Sequence, residues 1–282
     1  MKILKLMLLA VIVSFTAHSQ IKTPAPSPTA TLTQEVGLIT VTINYSRPSV
    51  KGRTIFGDLV KYDELWRTGA NAATKLSFSD DATLGGNEIK GGDYVILTVP
   101  GETEWKVNIY AFDGNGVGGY FDKDPIGTTT IKSVSLSDIV ESMTIGINNL
   151  TNSSATIDII WENTKISIPL LVNSDANVMA QINDLEKSSK NQQANDFNAA
   201  ANYLLTEKKE LEKALAFSKN AVALKSDAFW MMRTKSLIEA ELGKYKEAIA
   251  SAELSKAEAT TAKNQNYIDM NTASIAEWKK KK

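Results

Sequence analysis

The chain has 282 residues, more than one ordinary domain holds, and with 43% hydrophobic and 22% charged side chains it reads as a globular protein of two domains rather than a disordered one. Its 31 basic and 32 acidic groups nearly cancel to a formal charge of −1, which removes any long-range pull toward nucleic acid or anionic lipid. There is no cysteine, and the one histidine, His18, falls within the first twenty residues. Beyond that point Ser-His-Asp and Cys-His nucleophile systems and every His- or Cys-ligated zinc site are excluded, leaving carboxylate, lysine, tyrosine or serine chemistry and oxygen-ligated metals.

Met1 to Lys5 supplies a positive start, Leu6 to Phe15 an apolar run too short to span a bilayer, and Ala17-His18-Ser19 small residues for cleavage before Gln20. The expectation is a signal peptide over residues 1–19 and an exported protein, periplasmic or secreted. Without a cysteine to acylate it is not a lipoprotein, and disulfides cannot hold it together. Loss of Lys2 and Lys5 leaves 29 basic and 32 acidic groups, a mature charge of −3. No later apolar run is long enough for a transmembrane segment. Residues 20–33 carry three prolines among small polar residues and read as a spacer.

From residue 34 to 172 the pattern is that of an antiparallel β-sandwich. Val41, Ile43 and Tyr45 alternate with Thr40, Thr42 and Asn44, the period of a half-buried strand. Short strands follow at Leu76–Phe78, around Ile89 between two Gly-Gly turns, at Tyr94–Val99 (apolar on both faces) and at Trp105–Ile109. Ile131–Leu136, Met143–Ile147, Ala155–Trp161 and Lys165–Leu170 complete about nine strands at sandwich spacing.

Composition changes at Asn173: beyond it proline is absent and Gly243 is the one glycine. Val178, Ile182 and Leu185 predict a connecting helix within a linker over 173–196. Over 197–282 the chain repeats at 34 residues, Asn202, Leu204, Leu211, Ala214, Leu215 and Ser218 returning as Ser236, Ile238, Tyr245, Ala248, Ile249 and Ala252. That period, with small residues at helix crossings, predicts a short TPR-like (tetratricopeptide-like) helical stack. Lys209 and Gly243 fall at the inter-helix turns. Tyr267–Trp278 is expected to close the stack as a solvating helix, with Lys279 to Lys282 complementing its dipole or forming a soluble tail.

The densest chemistry lies between Arg47 and Thr74, where basic and polar side chains sit on a backbone broken by Pro48, Gly52, Gly57 and Gly69. Several strings there and beyond are also family features: Tyr45-Ser46-Arg47-Pro48, Lys51-Gly52-Arg53, Ile55-Phe56-Gly57, the long Trp66-Arg67-Thr68-Gly69-Ala70-Asn71-Ala72-Ala73-Thr74, Gly91-Gly92-Asp93-Tyr94, Val99-Pro100-Gly101 and Trp161-Glu162. On these the region from about 34 to 172 resembles a bacterial family known only as a domain of unknown function, DUF family 2911. The resemblance implies an exported bacterial protein, and a helical repeat tail in some members. It implies no activity, cofactor or catalytic residues.

The candidate ligand-binding residues are Arg47, Lys51, Arg53, Trp66, Arg67 and Asn71. Guanidinium forks pair bidentately with carboxylates and other anions, and an indole can stack on a sugar ring. The alternative is structural: the arginines pair with Asp58, Glu64 or Glu162 and Trp66 plugs the core. Asp113, Asn115 and Asp124 echo a calcium loop, but Val117 stands where an oxygen ligand is needed and no helices flank it, so a glycine-rich surface loop with solvated Asp122 and Asp124 is expected and no metal or other cofactor. Glu64, Asp80, Asp81, Glu102, Glu104 and Glu162 are available as a glycosidase pair, yet no spacing singles out two of them. The expected function is non-catalytic recognition of an envelope component, with an anionic or glycan ligand at the loops and a protein or peptide partner at the helical stack. A carboxylate-dependent glycan enzyme and a purely structural envelope protein are the alternatives.

Overall fold

The structure, a computed structural model, describes residues 23–187 and 192–281, so the expected signal peptide lies outside it. The described residues divide into two compact units, the boundary falling between Ser174 and Asp175.

The first unit is built from β1 (Thr29–Val36), β2 (Ile39–Ser46), β3 (Thr74–Phe78), β4 (Ala82–Leu84), β5 (Asn87–Ile89), β6 (Gly92–Pro100), β7 (Glu104–Ala111), β8 (Gly127–Lys132), β9 (Val134–Asn148) and β10 (Ser154–Val172). One sheet runs β1-β2-β3-β6-β7-β8 and the other β5-β4-β10-β9, every named pair antiparallel. Between them lies one apolar core, filled by alternate residues of each sheet: Val41, Ile43, Leu76, Ile96, Val107 and Ile109 meet Leu84, Ile145, Ile157, Ile166 and Ile168.

The expected strands are present, with three corrections. The spacer ends earlier than residue 33: its last proline is Pro28, and Thr29–Val36 zips onto β2 from Thr29↔Ser46 to Val36↔Ile39. Ile131–Leu136 is not one strand, because the chain breaks at Ser133 and passes from the first sheet into the second. The pieces Ala155–Trp161 and Lys165–Leu170 are arms of one fold-back. Asp158 and Lys165 meet at 2.8 Å, and the Val172 N–H donates to the Ser153 carbonyl at 2.9 Å. A straight strand would put residues 158 and 165 about 23 Å apart. The reversal sits at Glu162, whose φ is 54°. β9 follows it round, residues 144–148 pairing with 156–160 and residues 134–135 with 164–165, with register breaks between.

β6 is apolar on both faces because both are covered. Tyr94 and Ile96 face the main core, while Val95 and Leu97 pack with Tyr110 and Tyr120 in a second cluster on the outer face. Tyr120 comes from the glycine-rich loop, whose 3-10 turn spans Val117–Tyr120. Asp113 anchors that loop: its carboxylate accepts from Lys123, from Tyr120 Oη at 2.8 Å and from Asn115 Nδ2 at 2.9 Å. Lys123 above all holds it well below the usual carboxylate range.

The described residues of the second unit form six helices, α1 (Ser174–Lys187), α2 (Ala194–Thr206), α3 (Leu211–Leu224), α4 (Phe229–Glu241), α5 (Tyr245–Thr261) and α6 (Gln265–Trp278). The expected connecting helix is α1. It is part of the core, with Ile182 buried among Phe197, Leu204, Leu215 and Phe217. The 34-residue correspondence holds at Leu204/Ile238, Ala214/Ala248 and Ser218/Ala252, all buried, and fails at Asn202, which is exposed, against the buried Ser236. The two inter-helix turns differ in strain. The second uses Gly243 at φ 74°, whereas the first puts Lys208 and Glu210 at φ 51° and 41°, a conformation glycine adopts more cheaply. α6 buries Ile275 and Trp278 against Ala248 and Ala252 of α5, so it closes the stack with an apolar face.

Candidate functional site

The segment between β2 and β3 covers one end of the sandwich. Residues 47–50 run beside β9, with the Met143 N–H donating to the Pro48 carbonyl at 2.9 Å and the Val50 N–H to the Glu141 carbonyl at 2.8 Å. Lys51 and Gly52 turn the chain in the left-handed region at φ 50° and 69°. Ile55, Phe56 and Val60 then dip into the core. Trp66 returns alongside β6 just beyond the end of β3, exchanging backbone hydrogen bonds with Thr98 at 2.7 and 2.9 Å. Thr68 follows, fully buried at φ 56°, its hydroxyl 3.0 Å from that of Thr98 and its carbonyl taken by the Thr74 hydroxyl.

Under this segment four aromatic rings close the space between the sheets. Phe56 lies 4.9 Å from Trp105 and 6.1 Å from Trp161, and Trp66 stacks on Trp161 at 6.0 Å and 17°. Trp105 and Trp161 are 1% and 2% exposed. Trp66 stays half-buried, with its remaining surface in a cleft of about 350 Å³.

Four of the six candidate residues line that cleft: Arg53, Trp66, Arg67 and Asn71. Arg53 is half spent, Nε donating to the Val50 carbonyl at 2.9 Å and Nη2 to the Ser49 carbonyl at 2.6 Å, while Nη1 has no partner among the described residues. Arg67 is exposed and makes one long contact, Nη1 to the Asn71 carbonyl at 3.5 Å. Asn71, at φ 60°, donates through Nδ2 to the Ser27 carbonyl at 3.1 Å and to Ser46 Oγ at 3.4 Å. Among the described residues no acidic one lines the cleft.

Arg47 and Lys51 lie away from it. Arg47 is a staple across to β9, Nε donating to the Met143 carbonyl and Nη2 to Thr144 Oγ1, each at 2.9 Å. Lys51 is exposed, and its backbone N–H, not its ammonium, is engaged by Glu141 Oε1 at 2.9 Å. The expected pairing of arginines with Asp58, Glu64 or Glu162 does not occur: among the described residues Asp58 pairs with Lys61, and Glu162 Oε1 accepts from the Ile55 N–H at 3.2 Å. Backbone carbonyl oxygens and the Thr144 hydroxyl hold Arg47 and Arg53 instead.

Trp161 was not among the sequence candidates, although it lines the cleft. Its buried indole N–H has no acceptor among the described residues. The one signal for it in the sequence is its place beside Glu162 in the family-like Trp-Glu pair. A neighbouring depression of about 400 Å³ holds the carboxylates of Asp63, Glu102 and Glu104. Close by, burial and then Glu102 and Glu162 push the Tyr62 hydroxyl pKa up.

No curated protein and no solved structure matches the chain significantly. Residues 27–170, all of the sandwich but the last two residues of β10, match the family described as "Protein of unknown function (DUF2911)". With more than half of its 282 residues matched, the chain belongs to the DUF2911 family.

Proposed function

We propose that this is an exported, non-catalytic binding protein of the cell envelope, periplasmic or secreted, which holds a ligand at the loop-covered end of its sandwich. The observation that carries the reading is the convergence of Arg53, Arg67, Trp66 and Asn71 on one carboxylate-free cleft. Guanidinium groups not neutralised from within are available to an outside acceptor. Export rests on the first nineteen residues. No helix among the described residues is long and apolar enough to cross a membrane. The near-neutral charge favours no nucleic-acid partner.

The helical unit is read as TPR-like, its 34-residue correspondence giving a stacked surface for a protein or peptide partner. The competing reading, a carboxylate-dependent glycan enzyme, would work from Asp63, Glu102 and Glu104. The test is a thermal-shift screen of the mature protein against glycans, peptides and small anions, beside an assay for glycan hydrolysis. A ligand-dependent rise in Tm that Arg67→Ala removes while the fold stays intact supports binding. Steady turnover abolished by changing one of the three carboxylates would replace binding with catalysis, and no shift with any compound would leave the structural alternative standing.

A further inference from the structure

Resting on that reading, we propose that the cleft takes a carboxylated sugar, a uronic acid ring bound with its apolar face on Trp66 and its carboxylate on Arg53 and Arg67. Three features of the lining define the ligand.

The first is a surplus of donors. Arginine and tryptophan donate and never accept. Arg53 keeps Nη1 unspent, and Arg67 commits only one long contact. Two guanidinium groups with donors to spare, and no carboxylate among the described lining residues, call for an oxyanion.

The second is the indole surface. Trp66 is stacked on Trp161 and stands roughly perpendicular to Phe56 and Trp105, at 6.1 and 6.0 Å, which fixes its plane while leaving it half-exposed. A free inorganic anion would make no use of it; the C–H face of a pyranose would. The third is Asn71. Its Nδ2 is committed to the backbone of Ser27, and its Oδ1 accepts nothing among the described residues, so it remains for a ligand hydroxyl. At about 350 Å³ the cleft is at the small end of the range for ligand sites, right for one or two sugar rings rather than for a peptide or lipid.

The experiment is calorimetric titration of the mature protein with uronate disaccharides of the galacturonate, glucuronate and mannuronate series, their neutral hexose counterparts, and inorganic phosphate, with tryptophan emission followed in parallel. At least one uronate should bind saturably and perturb the emission, its neutral counterpart and phosphate at least 10-fold more weakly. Arg67→Ala should weaken that binding at least 10-fold, Arg67→Lys should restore part of it, and both should keep the wild-type Tm. Neutral and acidic disaccharides binding alike would overturn the acidic-sugar assignment and leave the binding reading intact. So would phosphate matching the uronate, which makes the site one for a bare oxyanion. No binding by any uronate overturns the assignment as well; the broader reading then stands or falls by the thermal-shift screen.

Discussion

Arg47 and Arg67 look alike in the sequence, and the structure gives them opposite surroundings. Arg47 is half-buried and donates twice at 2.9 Å, to the Met143 carbonyl and Thr144 Oγ1. A hydrogen bond from a charged donor contributes about 1.5–3 kcal/mol; with the site half-open to water, the pair together is taken at the conservative end, roughly 2–3 kcal/mol. Arg67 is exposed, and its 3.5 Å contact lies at the limit of a hydrogen bond, so its loss should cost no more than about 0.5 kcal/mol. For a unit of this size each kcal/mol moves Tm by about 3 °C, so Arg47→Ala should lower it by about 6–9 °C and Arg67→Ala by less than about 2 °C. Urea denaturation read by tryptophan emission checks this at constant slope: Trp66, Trp105 and Trp161 sit in the first unit, and the helical unit, which carries Trp230 and Trp278, is followed separately at 222 nm. Binding should respond in the reverse order. If Arg67→Ala unfolded the sandwich as readily as Arg47→Ala, the division into staple and ligand residue would be wrong.

Four further outcomes follow from the packing. Trp105→Ala, deleting a ring 1% exposed at the centre of the aromatic cluster, should cost about 3–5 kcal/mol in urea denaturation and broaden the near-UV spectrum of Trp66 and Trp161. Gly37 has φ 57°, and an added Cβ would stand 2.5 Å from the Asn152 carbonyl and 1.9 Å from Ser174 Oγ, which accepts from the Leu38 N–H; Gly37→Ala should therefore lose more than about 1 kcal/mol by the same assay. Burial alone would raise the Asp158 pKa, but hydrogen bonds from Lys165, Ser167, Asn148 and Thr156 outweigh it and hold it below its ordinary value. A depressed folded-state value contributes stability that is complete above the unfolded pKa near 4 and is lost as pH falls below it, so urea midpoints at pH 3 and pH 6 should converge in Asp158→Asn. In the helical unit Asn271 is buried between Arg233 Nη1 at 3.1 Å and Ser255 Oγ at 2.8 Å, and Asn271→Ala should lower the helical melt by about 1–3 kcal/mol at 222 nm.

Most of the sandwich was legible because its strands alternate: Val41, Ile43 and Tyr45 could face only a core. β1 was hidden because it is a polar edge strand in which only Ala30 and Leu32 lean on the core before Val36, so its residues read as a continuation of the proline-rich spacer. The fold-back of β10 was hidden for another reason. Its turn puts Glu162, neither glycine nor asparagine, in the left-handed region, and no local rule marks such a turn. The helical tail was legible from the change in composition at Asn173, beyond which proline is absent and glycine nearly so.

The site was legible as a stretch and not as a set of roles. What makes Arg47 a staple is a carbonyl 96 residues away, and what completes the cleft is a tryptophan from the far sheet. Neither is local information. The backbone supplies what the motif could not. Lys51, Asp63, Thr68, Asn71 and Glu162, non-glycine residues all, sit at φ between 50° and 61° in this loop and in the turn packed against it. Each such residue costs about 1–3 kcal/mol unless its surroundings hold it there. Thr68, β-branched and so the most strained, is held by Thr98 on one side and Thr74 on the other, and it directly follows Arg67. A loop needed only to cover a sheet end could relax this strain with glycine. Keeping threonine there fixes the backbone that carries Trp66 and Arg67, so that the proposed site would need to order only the Arg67 side chain, and not the loop, on binding.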